Sequence, residues 1–134
     1  MQEKTYYIAE DGTQFESEQE CKQYERCDMF KKMIAESPDI IKYPEAEGLQ
    51  NIGEGFYSDD YEYLWYKPLN EAGTALLKRA YGCITDDPTG RIICIEVTYG
   101  DTYYSYLEEG VQYAKTLLSK LGYDMVLVEK GVLI

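Results

Sequence analysis

The segment 92–97 constrains the fold of this chain more than any other. Five of its six residues are apolar, namely Ile92, Ile93, Cys94, Ile95 and Val97. A nearly continuous apolar run of this length is typical of a strand that is covered on both faces of a sheet. We therefore predict a central strand, which forms the second arm of a β-hairpin whose first arm is 83–85 and whose turn contains Pro88.

The segments around this strand indicate an α+β fold. Alternating aromatic residues predict a strand over 61–67, with Tyr61, Tyr63 and Trp65 on one face. Asn70 is a suitable N-cap for a helix over 71–81, and Ser105 with Glu108 forms a capping box before a second helix. Shorter strands are predicted at 102–104 and 125–128. The predicted architecture is a mainly antiparallel sheet with two helices.

The N-terminal residues predict a β-hairpin followed by a helix. Asp11-Gly12 is a strong signal for a two-residue turn, and pairing outward from it places Ile8 opposite Phe15. A capping box that begins at Ser17 predicts one helix, which continues to about residue 36.

The predicted domain organisation follows from these two patterns. It consists of a β-hairpin–helix module over 1–44 and an α+β domain over 45–134, with the alternative that the two form one compact unit.

Charge and the absence of histidine limit the chemistry of the chain. Of its 134 residues, 25 are acidic, 13 are basic and none is histidine, which gives a formal net charge of −12. Serine–histidine and cysteine–histidine nucleophile pairs and histidine-containing zinc sites are thereby excluded. A strong negative charge repels nucleic acids and anionic membranes but attracts a basic protein surface. We expect no direct contact with nucleic acid or membrane, and a basic nucleic-acid-binding protein as the partner.

The negative charge is concentrated in two windows without internal basic residues, 44–66 and 92–114. Carboxylates in such windows can imitate the spaced phosphates of a nucleic acid in front of an Arg- and Lys-lined channel. The candidate partner-binding acids are Glu45, Glu47, Glu54, Asp59, Asp60 and Glu62, with Asp101, Glu108 and Glu109 as a second patch. Tyr57 and Tyr61 are candidates for the centre of this interface.

Two other interpretations of these residues stay open. The adjacent acids Asp59-Asp60, Asp86-Asp87 and Glu108-Glu109 could bind Mg²⁺ or Ca²⁺ or supply a carboxylate pair for hydrolysis. The tyrosines of 99–106, together with Trp65 and Tyr66, could form a pocket for a small ligand such as a nucleotide signal. A non-enzymatic binding protein is the preferred interpretation, and small-ligand binding is the alternative.

The cysteines do not predict a metal or cofactor site. Cys21, Cys27, Cys83 and Cys94 lack the CxxC spacing of a zinc site, and we expect small buried apolar side chains instead. No apolar segment is long enough for a membrane span, and the N-terminus has no apolar signal region. The sequence therefore predicts a cytosolic protein with reduced thiols and no cofactor.

The N-terminal sequence resembles a known group of proteins. The segments YIAEDGTQF at 7–15 and SEQEC at 17–21, followed by Tyr24-Glu25, are similar to the opening of many small acidic proteins from phages and mobile elements of Gram-positive bacteria. Some small acidic phage proteins are anti-CRISPR or other anti-defence inhibitors that act as DNA mimics or block the nucleic-acid channel of a nuclease. The resemblance implies this setting but no functional residues. With the charge, it leads to the hypothesis of a phage inhibitor of a host defence protein.

Overall fold

The computed structural model describes residues 5–53 and 60–130, and in these residues helices and strands are mixed. A two-stranded hairpin and a four-stranded antiparallel sheet, whose strands 40–42, 62–68, 93–97 and 102–106 are neighbours in that order, accompany four helices. The α+β class is therefore confirmed. A single 3₁₀ turn occupies Pro44–Ala46. The elements are β1 (Tyr7–Ile8), β2 (Gln14–Phe15), α1 (Glu18–Cys27), α2 (Met29–Glu36), β3 (Ile40–Lys42), β4 (Glu62–Pro68), α3 (Glu71–Ala80), β5 (Ile93–Val97), β6 (Thr102–Tyr106) and α4 (Leu107–Lys120).

The chain is divided into two compact units. The first unit contains the chain up to Lys42 together with Tyr66–Gly90, and the second contains Tyr43–Trp65 together with the chain from Arg91 onward. Strand β4 contributes residues to both units. Each unit is therefore assembled from segments that are far apart in the sequence.

The N-terminal hairpin of the first unit has a different register from the predicted one. Its loop spans the three residues 10–12, and Gly12 closes it with a φ of 93°. Phe15 therefore pairs with Tyr7, and the predicted pairing of Phe15 with Ile8 is wrong by one residue. Because successive residues of a strand point to opposite faces, this slip turns Ile8 outward, and its side chain is 64% exposed.

The helix predicted to follow this hairpin is in fact two helices. The Ser17 hydroxyl accepts a hydrogen bond from the Glu20 N–H at 3.4 Å, as the capping box predicts. Helix α1 ends at Cys27 and α2 starts at Met29, with Asp28 between them at a φ of −118° and a ψ of −28°. The apolar stripe of one continuous helix would drift around its axis. In the second helix, Met29 and Ile34 are almost fully buried.

Helix α3 is confirmed at the predicted position. The Asn70 Oδ1 accepts a hydrogen bond from the Gly73 N–H at 3.0 Å and caps the helix. A Cβ atom on Gly73 would lie 2.3 Å from the Asp39 carbonyl oxygen. Glycine at this position therefore permits the close approach of the helix to the chain that enters β3.

Strand β5 organises the second unit. It lies between β4 and β6, so the predicted central position of this strand is confirmed. Ile93 and Ile95 on one face are completely buried. On the opposite face, Tyr63, Trp65 and Cys94 form a small core. Both faces of the strand thus carry buried side chains, as the apolar run indicates.

The predicted hairpin between 83–85 and β5 is wrong. Residues 83–85 form no strand, and the Ile84 N–H is hydrogen-bonded to the carbonyl of Tyr81 in a turn at 3.3 Å. The edges of β5 are occupied by β4 and β6, so no position remains for a further strand beside it.

The predicted strand over 125–128 is also wrong. Helix α4 ends at Lys120, Gly122 two residues later adopts a φ of 91°, and the described residues after it contain no helix or strand. Val126, Leu127 and Val128 are exposed. An apolar run becomes a strand only where it reaches a free sheet edge, and this one does not reach an edge within the described residues.

Candidate functional site: a tyrosine-walled cleft in an acidic unit

Apart from Tyr66, the two windows without basic residues belong to the same unit of the structure. The second unit contains twelve acidic and four basic residues, a formal net charge of −8. Three of those bases, Lys115, Lys120 and Lys130, lie within or after the second half of α4. In the two segments 43–65 and 92–114 of this unit, all charged side chains are therefore acidic.

The structure distributes the predicted partner-binding acids over several elements of this unit. Glu45 lies in the 3₁₀ turn and Glu47 directly follows it, whereas Glu62 begins β4 and Asp60 lies in the turn before that strand. Asp101 lies in the turn between β5 and β6, and all of these acids are exposed. Glu54, Tyr57 and Asp59, which are also predicted site residues, lie outside the described residues.

The two predicted acids of α4 take part in local structure. Glu108 forms an ion pair with Arg91, whose guanidinium carbon lies 3.4 Å from the centroid of the Tyr106 ring. The Glu109 carboxylate accepts a hydrogen bond from the Tyr106 N–H at 3.4 Å and thereby caps the helix. The predicted cap by Ser105 and Glu108 is wrong by one residue. Both acids stabilise the N-terminus of α4, where negative charge is favourable.

A cleft of about 540 Å³ lies on one face of the β5–β6 hairpin. Every second residue pair of the hairpin lines it: Cys94 with Ser105, Glu96 with Tyr103, and Thr98 with Asp101. These pairs share one face because alternate residues of paired strands point the same way. Tyr63 of the neighbouring β4, Tyr61 just before that strand, Tyr104 and Asn51 complete the lining. We refer to this feature as the tyrosine cleft.

Asn51 braces one side of the tyrosine cleft. Its side-chain amide donates hydrogen bonds to the Ser105 hydroxyl at 2.9 Å and to the Tyr106 carbonyl at 3.0 Å. Its Oδ1 accepts a hydrogen bond from the Ile52 N–H at 2.8 Å. Asn51 is only 5% exposed, so these bonds replace those that water would make. These hydrogen bonds fix the loop around Asn51 to β6.

The electrostatic character of the tyrosine cleft is negative. Glu96 and Asp101 contribute carboxylates, and none of the described lining residues is basic. The Tyr103 hydroxyl donates a long hydrogen bond of 3.5 Å to the Asp101 carboxylate. Tyr103 is 54% exposed, so part of its ring is available to a bound group.

The cleft corrects the predicted tyrosine pocket. Tyr103 and Tyr104 line it, whereas Tyr99 is 84% exposed and Tyr106 is buried. Trp65 donates its indole N–H to the Leu49 carbonyl at 2.8 Å and lines a separate apolar groove of about 340 Å³. Tyr66 belongs to the first unit and stacks on Tyr81.

Most of the residues that line the tyrosine cleft are not predicted as site residues. Glu96 enters the prediction only as an acid of the second window, Ser105 only as a helix cap and Tyr63 only as a sheet residue, and Thr98 has no predicted role. The signal for them is the alternation 94, 96, 98 facing 101, 103, 105 across a short turn. The predicted hairpin pairs β5 with 83–85, so it does not place these residues opposite one another.

The metal and carboxylate-pair interpretations receive no support from the described residues. Asp87 accepts hydrogen bonds from the backbone and hydroxyl of Thr89 and stabilises the turn around Pro88. No group of three or more Cys, Asp or Glu side chains within 5–53 and 60–130 is arranged to hold a metal ion. Cys21, Cys83 and Cys94 are free thiols, and burial raises the pKa of the Cys21 thiol.

Within the described ranges, every helix is too short or too polar to cross a lipid bilayer. The chain matches no protein-family model, no curated protein and no solved structure.

Proposed function

We propose that this chain is an acidic inhibitor that binds a basic host defence protein, such as a CRISPR effector or another nuclease, and competes with nucleic acid for it. The observation that carries the proposal is the union of the two windows without basic residues in a single folded unit. A nucleic-acid channel is lined by Lys and Arg, and carboxylates on ordered elements can occupy the positions of phosphates in front of it.

The positions of the acids support this role. Glu45, Glu47, Asp60 and Asp101 are exposed and belong to one unit with a formal net charge of −8. Exposed charge of one sign accelerates association with a surface of the opposite sign and makes it sensitive to salt. The N-terminal resemblance to small acidic phage proteins supports the biological setting, since some of those proteins are inhibitors of host defence.

The first experiment measures inhibition and its mechanism together. The purified chain is added to a panel of RNA-guided and other nucleases from Gram-positive bacteria, and both DNA binding and DNA cleavage are followed. We expect inhibition of at least one nuclease, relief of that inhibition by excess nucleic acid, and weaker binding at higher salt. If the chain binds no nuclease of the panel at low salt, or if binding is independent of salt, the proposal fails.

A matched pair of charge variants tests which unit binds. Glu45→Gln with Glu47→Gln removes two exposed charges from the second unit, and Glu16→Gln with Glu36→Gln removes two from the first. We expect the first variant to weaken binding roughly two- to thirtyfold, because an exposed ion pair contributes about 0.2–1 kcal/mol. The second variant should bind as the wild type does. Equal loss in both variants would contradict a binding face on the second unit.

A second candidate function is the binding of a free small ligand, and the tyrosine cleft favours it. Its volume of about 540 Å³ falls in the range of about 300–1,000 Å³ that is typical of ligand sites. Two carboxylates and the lack of described basic lining residues disfavour a phosphorylated nucleotide and favour an uncharged or cationic ligand. Titration with a nucleoside and with its monophosphate tests this preference.

A further inference from the structure

The tyrosine cleft is a concave feature of the second unit whose chemistry suits a cation with a flat face. Tyrosine rings attract cations through the negative face of their π-system. Carboxylates accept hydrogen bonds from a guanidinium, which presents its N–H groups in one plane. The cleft places both kinds of group on the same face of one hairpin, with Glu96 directly opposite Tyr103.

We propose that the tyrosine cleft is a binding site for an arginine side chain of the basic partner. In this arrangement the guanidinium stacks on the ring of Tyr103, and its N–H groups donate to the carboxylates of Glu96 and Asp101. The inference rests on the proposed function, because it assigns a specific contact to the partner that the acidic unit attracts.

The position of the two carboxylates favours this arrangement. Glu96 lies in β5 and is half-buried, whereas Asp101 lies at the exposed end of the hairpin. The Asp101 carbonyl accepts hydrogen bonds from the backbone N–H and the hydroxyl of Thr98, so the turn that carries its carboxylate is well defined. A side chain that enters from the open end meets Asp101 first and Glu96 deeper in the cleft.

The same features select arginine over other groups. A phosphate would be repelled by both carboxylates. Lysine carries a compact ammonium that is more strongly hydrated and cannot stack as a plane. Citrulline has the shape of arginine without its charge. A comparison of arginine, lysine and citrulline side chains therefore separates the contribution of stacking from the contributions of charge and of hydrogen bonding.

The test uses short peptides of the form Gly-Gly-X-Gly-Gly, where X is arginine, lysine or citrulline, with methylguanidinium as a free cation. Binding to the full ¹⁵N-labelled chain is followed by chemical-shift changes of backbone amides. We expect the arginine peptide to shift the amides of Thr98, Tyr103 and Ser105, the lysine peptide to bind at least fivefold more weakly, and the citrulline peptide not to bind. Equal binding of the lysine peptide, or shifts spread evenly over the acidic surface, would overturn the proposal.

Two variants place the contact at the cleft. Glu96→Gln keeps the shape of the side chain and removes its charge, and we expect about tenfold weaker binding of the arginine peptide, because hydrogen bonds to charged groups are the strong ones. Asp101→Asn, at an exposed turn position, gives a second measurement that does not depend on the packing of β5. Unchanged binding in both variants would refute the assignment, and Glu16→Gln with Glu36→Gln, at two exposed acids of the first unit, serves as the control that leaves peptide binding intact.

The outcomes separate this inference from the proposed function. If Glu96→Gln binds a nuclease as tightly as the wild type while the Glu45 and Glu47 variant binds more weakly, the cleft assignment fails and the proposed function stands. If the arginine peptide or methylguanidinium occupies the cleft but no nuclease is bound at low salt, the cleft is a cation site and the proposed function fails.

Discussion

The two units of the molecule contain almost the same number of acidic residues but very different numbers of basic ones. The first has thirteen acids and nine bases, and the second has twelve acids and four bases. In the first unit, Glu10 pairs with Arg79 and Glu18 pairs with Lys22. The larger negative charge of the second unit therefore results from its smaller number of basic residues and not from a larger number of acidic residues. A base introduced into the second unit should consequently harm binding as much as the loss of an acid.

A tyrosine–carboxylate contact occurs in each unit and has a different setting in each. In the first unit, the Tyr24 hydroxyl donates to the Asp11 carboxylate, and its ring packs against Phe15 with centroids 5.1 Å apart. In the second, Tyr103 contacts Asp101 at the tyrosine cleft. The first contact closes a hairpin onto a helix, whereas the second faces open space. Similar residue pairs thus stabilise the fold in one unit and line the cleft that we propose as a recognition site in the other.

The largest expected effects come from two helix glycines, one in each unit. A Cβ atom on Gly73 would lie 2.3 Å from the Asp39 carbonyl oxygen, and one on Gly110 would lie 2.7 Å from the Ile52 carbonyl oxygen. We expect Gly73→Ala and Gly110→Ala to lower the free energy of unfolding by about 1–3 kcal/mol each, with the larger loss at Gly73, because a rigid backbone must move. Urea denaturation measures both.

The two glycines should differ in their effect on binding. A Cβ atom on Gly110 would also lie 2.8 Å from the Asn51 Oδ1 that helps to brace the tyrosine cleft, so Gly110→Ala should weaken binding of the arginine peptide and Gly73→Ala should not. Gly82→Ala is the control, since no atom lies within 4 Å of its added Cβ. A stable Gly110→Ala protein with unchanged binding would show that the loop at Asn51 does not shape the cleft.

Two asparagines give the next largest difference between the units. Asn51 is buried and joins its loop to β6, whereas Asn70 is exposed and caps α3. We expect Asn51→Ala to cost about 1–3 kcal/mol, since it leaves buried groups without hydrogen bonds. Asn70→Ala should cost about 1 kcal/mol, the usual value for an N-cap. Denaturant midpoints of the two variants measure the difference, and a larger loss at Asn70 would contradict the assigned burial.

Local signals in the sequence predict the elements of this fold better than their partners. The central position of β5, the cap of α3 by Asn70 and the start of α1 at Ser17 each depend on residues that are close together in the chain, and all are confirmed. The hairpin partner of β5 depends on competition between 83–85 and β6, which both lie near it in sequence. Tertiary packing decides which segment pairs with β5, and a local sequence pattern does not reveal that packing.

The tyrosine cleft shows the same limit for the candidate site. Tyr61 and Asp101 are singled out by the sequence as candidate site residues, but for an acidic interface rather than for a cleft. Glu96 belongs to the acids of the second window, but it is not predicted as a site residue because a single acid in an apolar strand has no local signature. Its role depends on its position opposite Tyr103, which only the register of the hairpin defines.

Substitutions of two basic residues should differ less in the free energy of unfolding that they cost. Arg91 lies over the Tyr106 ring and pairs with Glu108, whereas Lys22 forms an exposed pair with Glu18 one helical turn away. We expect Arg91→Lys to cost about 0.5–1 kcal/mol through the loss of stacking. Lys22→Gln should cost no more than about 0.5 kcal/mol, and added salt should reduce this cost further. Thermal melts at low and high salt measure both, and a salt-independent Lys22 effect would contradict this account.

The smallest expected effect concerns acid pH and the first unit alone. The hydrogen bond from the Tyr24 hydroxyl holds the pKa of Asp11 below the ordinary value of 3.8. A carboxyl group whose pKa is lower in the folded state stabilises the fold above its unfolded pKa, and this contribution is lost as the pH falls through the folded pKa. Tyr24→Phe should therefore lower the melting temperature at neutral pH, and its difference from the wild type should shrink below pH about 4. Tyr123→Phe, at an exposed position in the second unit, is the control, and a Tyr24→Phe difference that stays constant down to pH about 2 would show that the hydroxyl acts through packing rather than through the Asp11 charge.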